Sequence, residues 1–196
     1  MNLVKSTAVV SFFTLLSRIS GFVRDILLAR LFGASLMMDA FVVAFKIPNF
    51  MRRVFAEGSF SLAFIPVLNE VKTQQSRLKL KLFLNHVFGC LLAVLLLVVG
   101  LFELLAPGVI SVFGMGFLDN EQVFQSAVEM LRIMLPYLLF ISLVSFSAGI
   151  LNSFGRFALS AGTPIILNLV LIWAALYLRH EFDVPIKAMA WGVLLA

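Results

Sequence analysis

A chain of 196 residues that is 62% hydrophobic and only 13% charged carries more apolar surface than a soluble domain of this size can hide. Its formal net charge is +5 and its mean hydropathy +1.07. In so apolar a chain, basic excess belongs to cytoplasmic loops and functional cavities of a membrane protein, and no nucleic-acid partner is expected.

Residues 82–102, 133–155 and 157–178 contain no charged side chain. Each stretch matches the ~20 residues a helix needs to cross ~30 Å of hydrocarbon. The expected fold is all-α, a polytopic transmembrane helix bundle. The first span is predicted over residues 3–32 and ends at Gly33, a residue suited to closing a helix. Lys5 followed by an apolar run has the outline of a signal peptide. Ser17-Arg18-Ile19-Ser20 offers no small-x-small cleavage pattern, however, so the segment reads as an uncleaved span.

The second span is predicted over residues 36–71, about 50 Å of helix, kinked or loosened at Pro48, Gly58 and Pro66. The third covers 80–105 and stops at Ala106-Pro107-Gly108, which places Glu103 at a helix end. Cys90 lies within it; a lone cysteine excludes a disulfide framework or metal cluster and reads as a packed thiol. His86 reads as packed or interfacial. The fourth span covers 122–151, kinked at Pro136, and leads into the polar turn Asn152-Ser153-Phe154-Gly155-Arg156. The fifth covers 159–178 with Pro164 in its first turn. A sixth begins near residue 185 and is incomplete at 196. Five full spans plus the start of a sixth point to the front part of a longer membrane protein. Lys5, Lys72, Arg77, Lys79, Lys81 and Arg156 fall on one side, and Arg30, Arg179 and Lys187 on the other. This bias predicts a cytoplasmic N-terminus.

The first 57 residues hold seven Lys/Arg and three acids, nearly all of the chain's net charge. Most lie within spans, where each would cost ~2.5–3.5 kcal/mol at mid-bilayer if it faced lipid. Their spacing gathers them. At 100° per residue, Ser11, Thr14, Arg18, Gly21 and Asp25 form one stripe on the first span, flanked by Ser17 and Arg24. On the second, Asp39, Lys46, Arg53 and Glu57 form another, with Asn49 beside it and Arg52 further round. Phe12, Leu15, Ile19 and Val23 occupy the opposite face of the first helix, and Phe41, Phe45 and Val54 that of the second. Such faces suit a shared water-filled cavity, with Arg18, Arg52 and Arg53 near the midplane and Arg24 and Lys46 nearer the outer side. Clustered guanidinium groups there suit an anionic ligand, because an Arg fork binds phosphate bidentately. Internal pairing, Arg18 with Asp25 or Arg53 with Glu57, would account for the acids but leave an excess of cations. The every-third-residue Arg pattern of a voltage sensor is missing. No Walker loop, nucleophile elbow or metal-ligand spacing is present, so neither enzymatic chemistry, cofactor nor metal is expected.

The segment Ser17-Arg18-Ile19-Ser20-Gly21-Phe22-Val23-Arg24-Asp25 resembles the opening of the MurJ (MviN) lipid II flippase family. So do Phe32-Gly33-Ala34, residues Asp39 through Asn49, and Arg52-Arg53-Val54-Phe55-Ala56-Glu57-Gly58-Ser59-Phe60. Gly149-Ile150-Leu151-Asn152-Ser153, Phe157-Ala158 and Pro164 through Asn168 extend the resemblance over the whole chain. Ser160 departs from it, standing where the family typically has proline. The resemblance implies membership of the multidrug/oligosaccharidyl-lipid/polysaccharide exporter superfamily, whose folds have two lobes around a central cavity. It also implies a substrate, lipid II, an undecaprenyl-pyrophosphate-linked peptidoglycan precursor flipped from the cytoplasmic to the periplasmic leaflet of the bacterial inner membrane. By motif, the family's cationic cavity residues fall on Arg18, Arg24 and Arg52, with Asp25, Asp39, Arg53 and Glu57 nearby. Gly21, Pro48 and Gly58 are the expected bending points of an alternating-access cycle. Membrane lipids and cell-wall synthesis proteins are the expected partners. The rival functions are export of another lipid-linked oligosaccharide, or a truncated, non-transporting membrane scaffold.

Overall fold

The computed structural model describes residues 3–54, 59–155 and 157–196. Among them are seven α-helices: α1 (Leu3–Phe32), α2 (Leu36–Arg52), α3 (Ser59–Gln74), α4 (Arg77–Phe113), α5 (Glu121–Ser153), α6 (Phe157–Leu176) and α7 (Lys187–Leu195). Short 3₁₀ turns, Met115–Phe117 and Leu178–Glu181, punctuate the connections. Glu57, Gly58 and Arg156 lie outside the described residues, as does the side chain of Lys5.

Local chemistry sets the helix ends. α1 closes at Gly33, which takes φ +59 and donates its N–H to the Ala29 carbonyl at 3.1 Å. Only a residue without Cβ adopts that conformation cheaply. Three caps start the following helices. Ser35 Oγ accepts from Met38 N (3.2 Å), Ser76 Oγ from Lys79 N (3.4 Å) and Asn120 Oδ1 from Val123 N (3.2 Å). Asp39 and Glu121 sit in the first turns of α2 and α5, where the helix dipole favours a negative charge.

The second span, expected to be kinked or loosened, contains α2 up to Arg52, a π-type turn at Arg53 and Val54, and α3 from Ser59. The Arg53 N–H is shared between the carbonyls of Asn49 and Phe50, the three-centre bond common at helix ends. The third span does not stop at Pro107. α4 runs through it to Phe113, because Ala106 and Ile110 are both fully buried in the core and hold the turn in register. Losing one backbone bond to proline is tolerable where neighbouring helices cover the site. Glu103 is therefore a mid-helix residue, close enough to Arg132 of α5 for their charges to interact.

α5 is the axis of the bundle. Its Ala127, Met130, Leu131, Met134 and Leu135 meet Ala40, Phe41 and Ala44 of α2 and Met189, Ala190 and Val193 of α7 in one apolar cluster. Leu138 and Phe146, further along α5, pack with Phe64 and Leu68 of α3 and Leu91 and Leu95 of α4 in a second. Small residues allow the closest approaches: a Cβ on Gly192 of α7 would stand 2.8 Å from that of Ala174 on α6. The exposed surface is itself apolar. Phe12, Leu15, Ile19 and Val23 on α1, and Val94, Leu97 and Leu101 on α4, all face outward, as lipid-facing residues do. Cys90 belongs to that α4 stripe and is exposed, not packed. Among the described residues α4 and α5 are long and apolar enough to cross a membrane; α6 contributes a shorter apolar run, Gly162–Leu176.

Candidate functional site

The two charged helices dock on different partners. α1 lies along α6, and α2 along α5, with no extensive interface between α1 and α2 themselves. The face α2 buries is Ala40, Phe41, Ala44, Ile47 and Pro48. At 100° per residue, Asp39, Lys46 and Arg53 project from the opposite side, and all three are exposed. Phe41, expected opposite the charges, is one of the buried residues; Val54 is exposed. His86 is also exposed, its Nδ1 2.7 Å from the Leu82 carbonyl of its own helix.

On α1 the expected stripe divides. Gly21, Ser17, Ser20 and Arg24 turn towards α6, whereas Arg18 and Asp25 stand exposed at the rim of that contact. Arg24 is the centre of a network. Its Nε and Nη2 donate to Asp25 Oδ1 at 3.0 and 2.8 Å, and its Nη1 donates to Asn168 Oδ1 at 2.8 Å. The Asn168 Nδ2 donates back to the Ser17 carbonyl (3.0 Å) and to Ser20 Oγ (3.1 Å). Asp25 thus pairs with Arg24, the next residue along, and not with Arg18.

The second centre is built around Arg52 of α2. Arg52 Nε donates to Asn49 Oδ1 at 3.2 Å. Both line a cavity of ≈ 200 Å³ together with Tyr137 of α5 and Thr163, Pro164 and Leu167 of α6. Leu167 and Asn168 are successive residues. One stretch of α6 therefore lines the Arg52 cavity through Thr163, Pro164 and Leu167 and reaches the Arg24 network through Asn168. Arg24 and Arg52 are brought to the same helix, Arg18, Asp25, Asp39, Lys46 and Arg53 remain on open faces nearby, and Glu57 lies outside the described residues. Neither of the described bending candidates interrupts a helix: α1 is continuous through Gly21 and α2 through Pro48.

Sequence reasoning did not single out Asn168 as a site residue. The available signal was an amide in the middle of an otherwise apolar, charge-free run, where a polar side chain needs a partner on another helix. It also passed over Glu129, which accepts a short ion-paired hydrogen bond from Lys187 and ties α5 to α7.

The chain has relatives that match it along its whole length. The profile of the family described as "Lipid II flippase MurJ" matches residues 28–196. A "Lipid II flippase MurJ" of Burkholderia cenocepacia is 44% identical over 198 residues, and a "Probable lipid II flippase MurJ" of Buchnera aphidicola (subsp. Acyrthosiphon pisum) 43% identical over 195. Each match covers 100% of this chain and 38% of the relative. The solved structure titled "Lipid II flippase MurJ, inward closed conformation" superposes with a TM-score of 0.77 at 31% identity, over 95% of this chain and 39% of that one.

Proposed function

The chain belongs to the lipid II flippase MurJ family, and from that premise we propose that it supplies the cationic half-cavity through which a lipid-linked pyrophosphate headgroup crosses the bilayer. It spans 38% of the length of the curated relatives it matches, so the transport cycle is a property of a larger assembly of helices. In this reading the chain forms the N-terminal lobe of a multi-pass protein of the bacterial inner membrane, with five full spans and part of a sixth. Its N-terminus is cytoplasmic, and cell-wall synthesis proteins are its partners.

The observation that carries the reading is the convergence of Arg24 and Arg52 on one stretch of α6, with Arg18, Lys46 and Arg53 on adjoining open faces. An anionic headgroup leaving water loses its hydration, and directed guanidinium donors replace it. Arg24 uses three of its five N–H groups within the protein, leaving two for a ligand. Arg52 stands at the wall of a cavity large enough for part of a headgroup. The apolar outer faces of α1 and α4 keep the lipid tail in the bilayer while the headgroup moves, and alternate opening to the two sides carries it across.

In the native protein expressed from its own gene, Arg18→Ala or Arg52→Ala is expected to abolish lipid II translocation while membrane levels stay normal. A transport assay in vesicles, with immunoblotting for abundance, reads both. Wild-type translocation in both variants would remove the cavity from the mechanism.

A further inference from the structure

We infer that Asn168 is a positioning residue for Arg24: a neutral amide on α6 that aims the guanidinium at the headgroup without cancelling its charge. The inference rests on the proposed role of Arg24 as a headgroup ligand and adds the residue that sets its direction.

Asn168 is 6% exposed, the one buried side-chain amide among the described residues. Its orientation is fixed by chemistry. Nδ2 faces two oxygens, the Ser17 carbonyl and Ser20 Oγ, and Ser20 Oγ spends its own proton on the Ser17 carbonyl at 2.9 Å. A flipped amide would set NH₂ against guanidinium, donor against donor, and leave the serine oxygens facing a carbonyl. Only one amide orientation satisfies every group, and it presents Oδ1 to Arg24 Nη1.

Asp25 cannot do this alone. Its side chain is 64% exposed, against 24% for Arg24, and an exposed pair of adjacent residues is weakly held and screened by salt. The buried amide bond is the anchor, and Asp25 draws the other edge of the guanidinium towards the open rim. Gly21 leaves the space for this: a Cβ there would stand 3.4 Å from Asn168 Nδ2. A carboxylate at position 168 would also accept from Arg24. It would, however, neutralise the cation and, being acceptor-only when ionised, face two acceptor oxygens.

The test uses the native protein in membrane vesicles, with lipid II translocation and melting temperature in detergent as readouts. Asn168→Leu is expected to lower the translocation rate about tenfold, the scale of one lost charge-assisted hydrogen bond, with the melting temperature little changed. Asn168→Asp, nearly isosteric, is expected to lose at least as much. In an Arg24→Met background, which has no donor and whose residual rate is measured first, Asn168→Leu is expected to change the rate by less than about twofold, because its partner is already gone. Should Asn168→Leu fail to accumulate, Gly21→Val, which pushes the amide aside, is measured against the same two backgrounds. Equal losses in both backgrounds, or a wild-type rate in Asn168→Leu and Asn168→Asp, overturn the inference. A wild-type rate in Arg24→Ala overturns instead the reading of Arg24 as a headgroup ligand.

Discussion

A charged side chain inside a membrane helix has to be pointed somewhere, and spacing alone says where. The 100° rule gathers Arg18 with Asp25 and Asp39 with Lys46 and Arg53, and those residues do stand on open faces. Periodicity says nothing of which helices meet. Asn168 and Arg24 are 144 residues apart, and their bond became visible only once α1 was seen to lie along α6. Lys72 makes the same point. By sequence it belongs to a basic topology-setting loop; in the fold its Nζ donates to the Ser153 carbonyl at the end of α5 and sits 4.3 Å from the centre of the Phe154 ring. A lysine there satisfies an orphan carbonyl and complements the negative end of the helix dipole. Lys72→Met is expected to cost about 1 kcal/mol, seen as a lower melting temperature in detergent.

Helix existence was legible throughout, because charge-free runs of membrane-crossing length admit no other structure in lipid. The helix ends were less so. Proline read as a stop at Pro107, yet α4 passes through it, while α2 gives way to a π-type turn at Arg53 and Val54. The difference lies in the neighbours: Ala106 and Ile110 are buried, whereas Arg53 and Val54 are exposed. Packing decides where local preference is balanced. The α6–α7 contact shows how tight that packing becomes. Gly192→Ala would place a methyl 2.8 Å from Ala174 Cβ and 3.1 Å from Leu171 Cδ2. Neither Ala174 Cβ nor the backbone can swing away, so the substitution is expected to destabilise the protein by about 1–3 kcal/mol. Denaturant titration of the purified protein in detergent measures it, and a stability equal to wild type would show that the two helices can slide apart freely.

For the molecule as a whole, one surface has two solvents. The outer stripe of α4, with Cys90 between apolar neighbours, is exposed in the isolated fold, and an apolar face of this kind is expected against lipid. A charged, membrane-impermeant maleimide is therefore expected to leave Cys90 unmodified in intact vesicles and to label it after solubilisation in SDS, as read on its peptide by mass spectrometry. Fast labelling without detergent would place this stripe against water. The charged faces of α1 and α2 obey the opposite rule and need water or a ligand. α6, packed along α1, carries Asn168 for the Arg24 network and Thr163, Pro164 and Leu167 for the Arg52 cavity. Asn168 and the Thr163, Pro164 and Leu167 wall ride on one helix, so a tilt of α6 would move the anchor of Arg24 and one wall of the Arg52 cavity through the same angle.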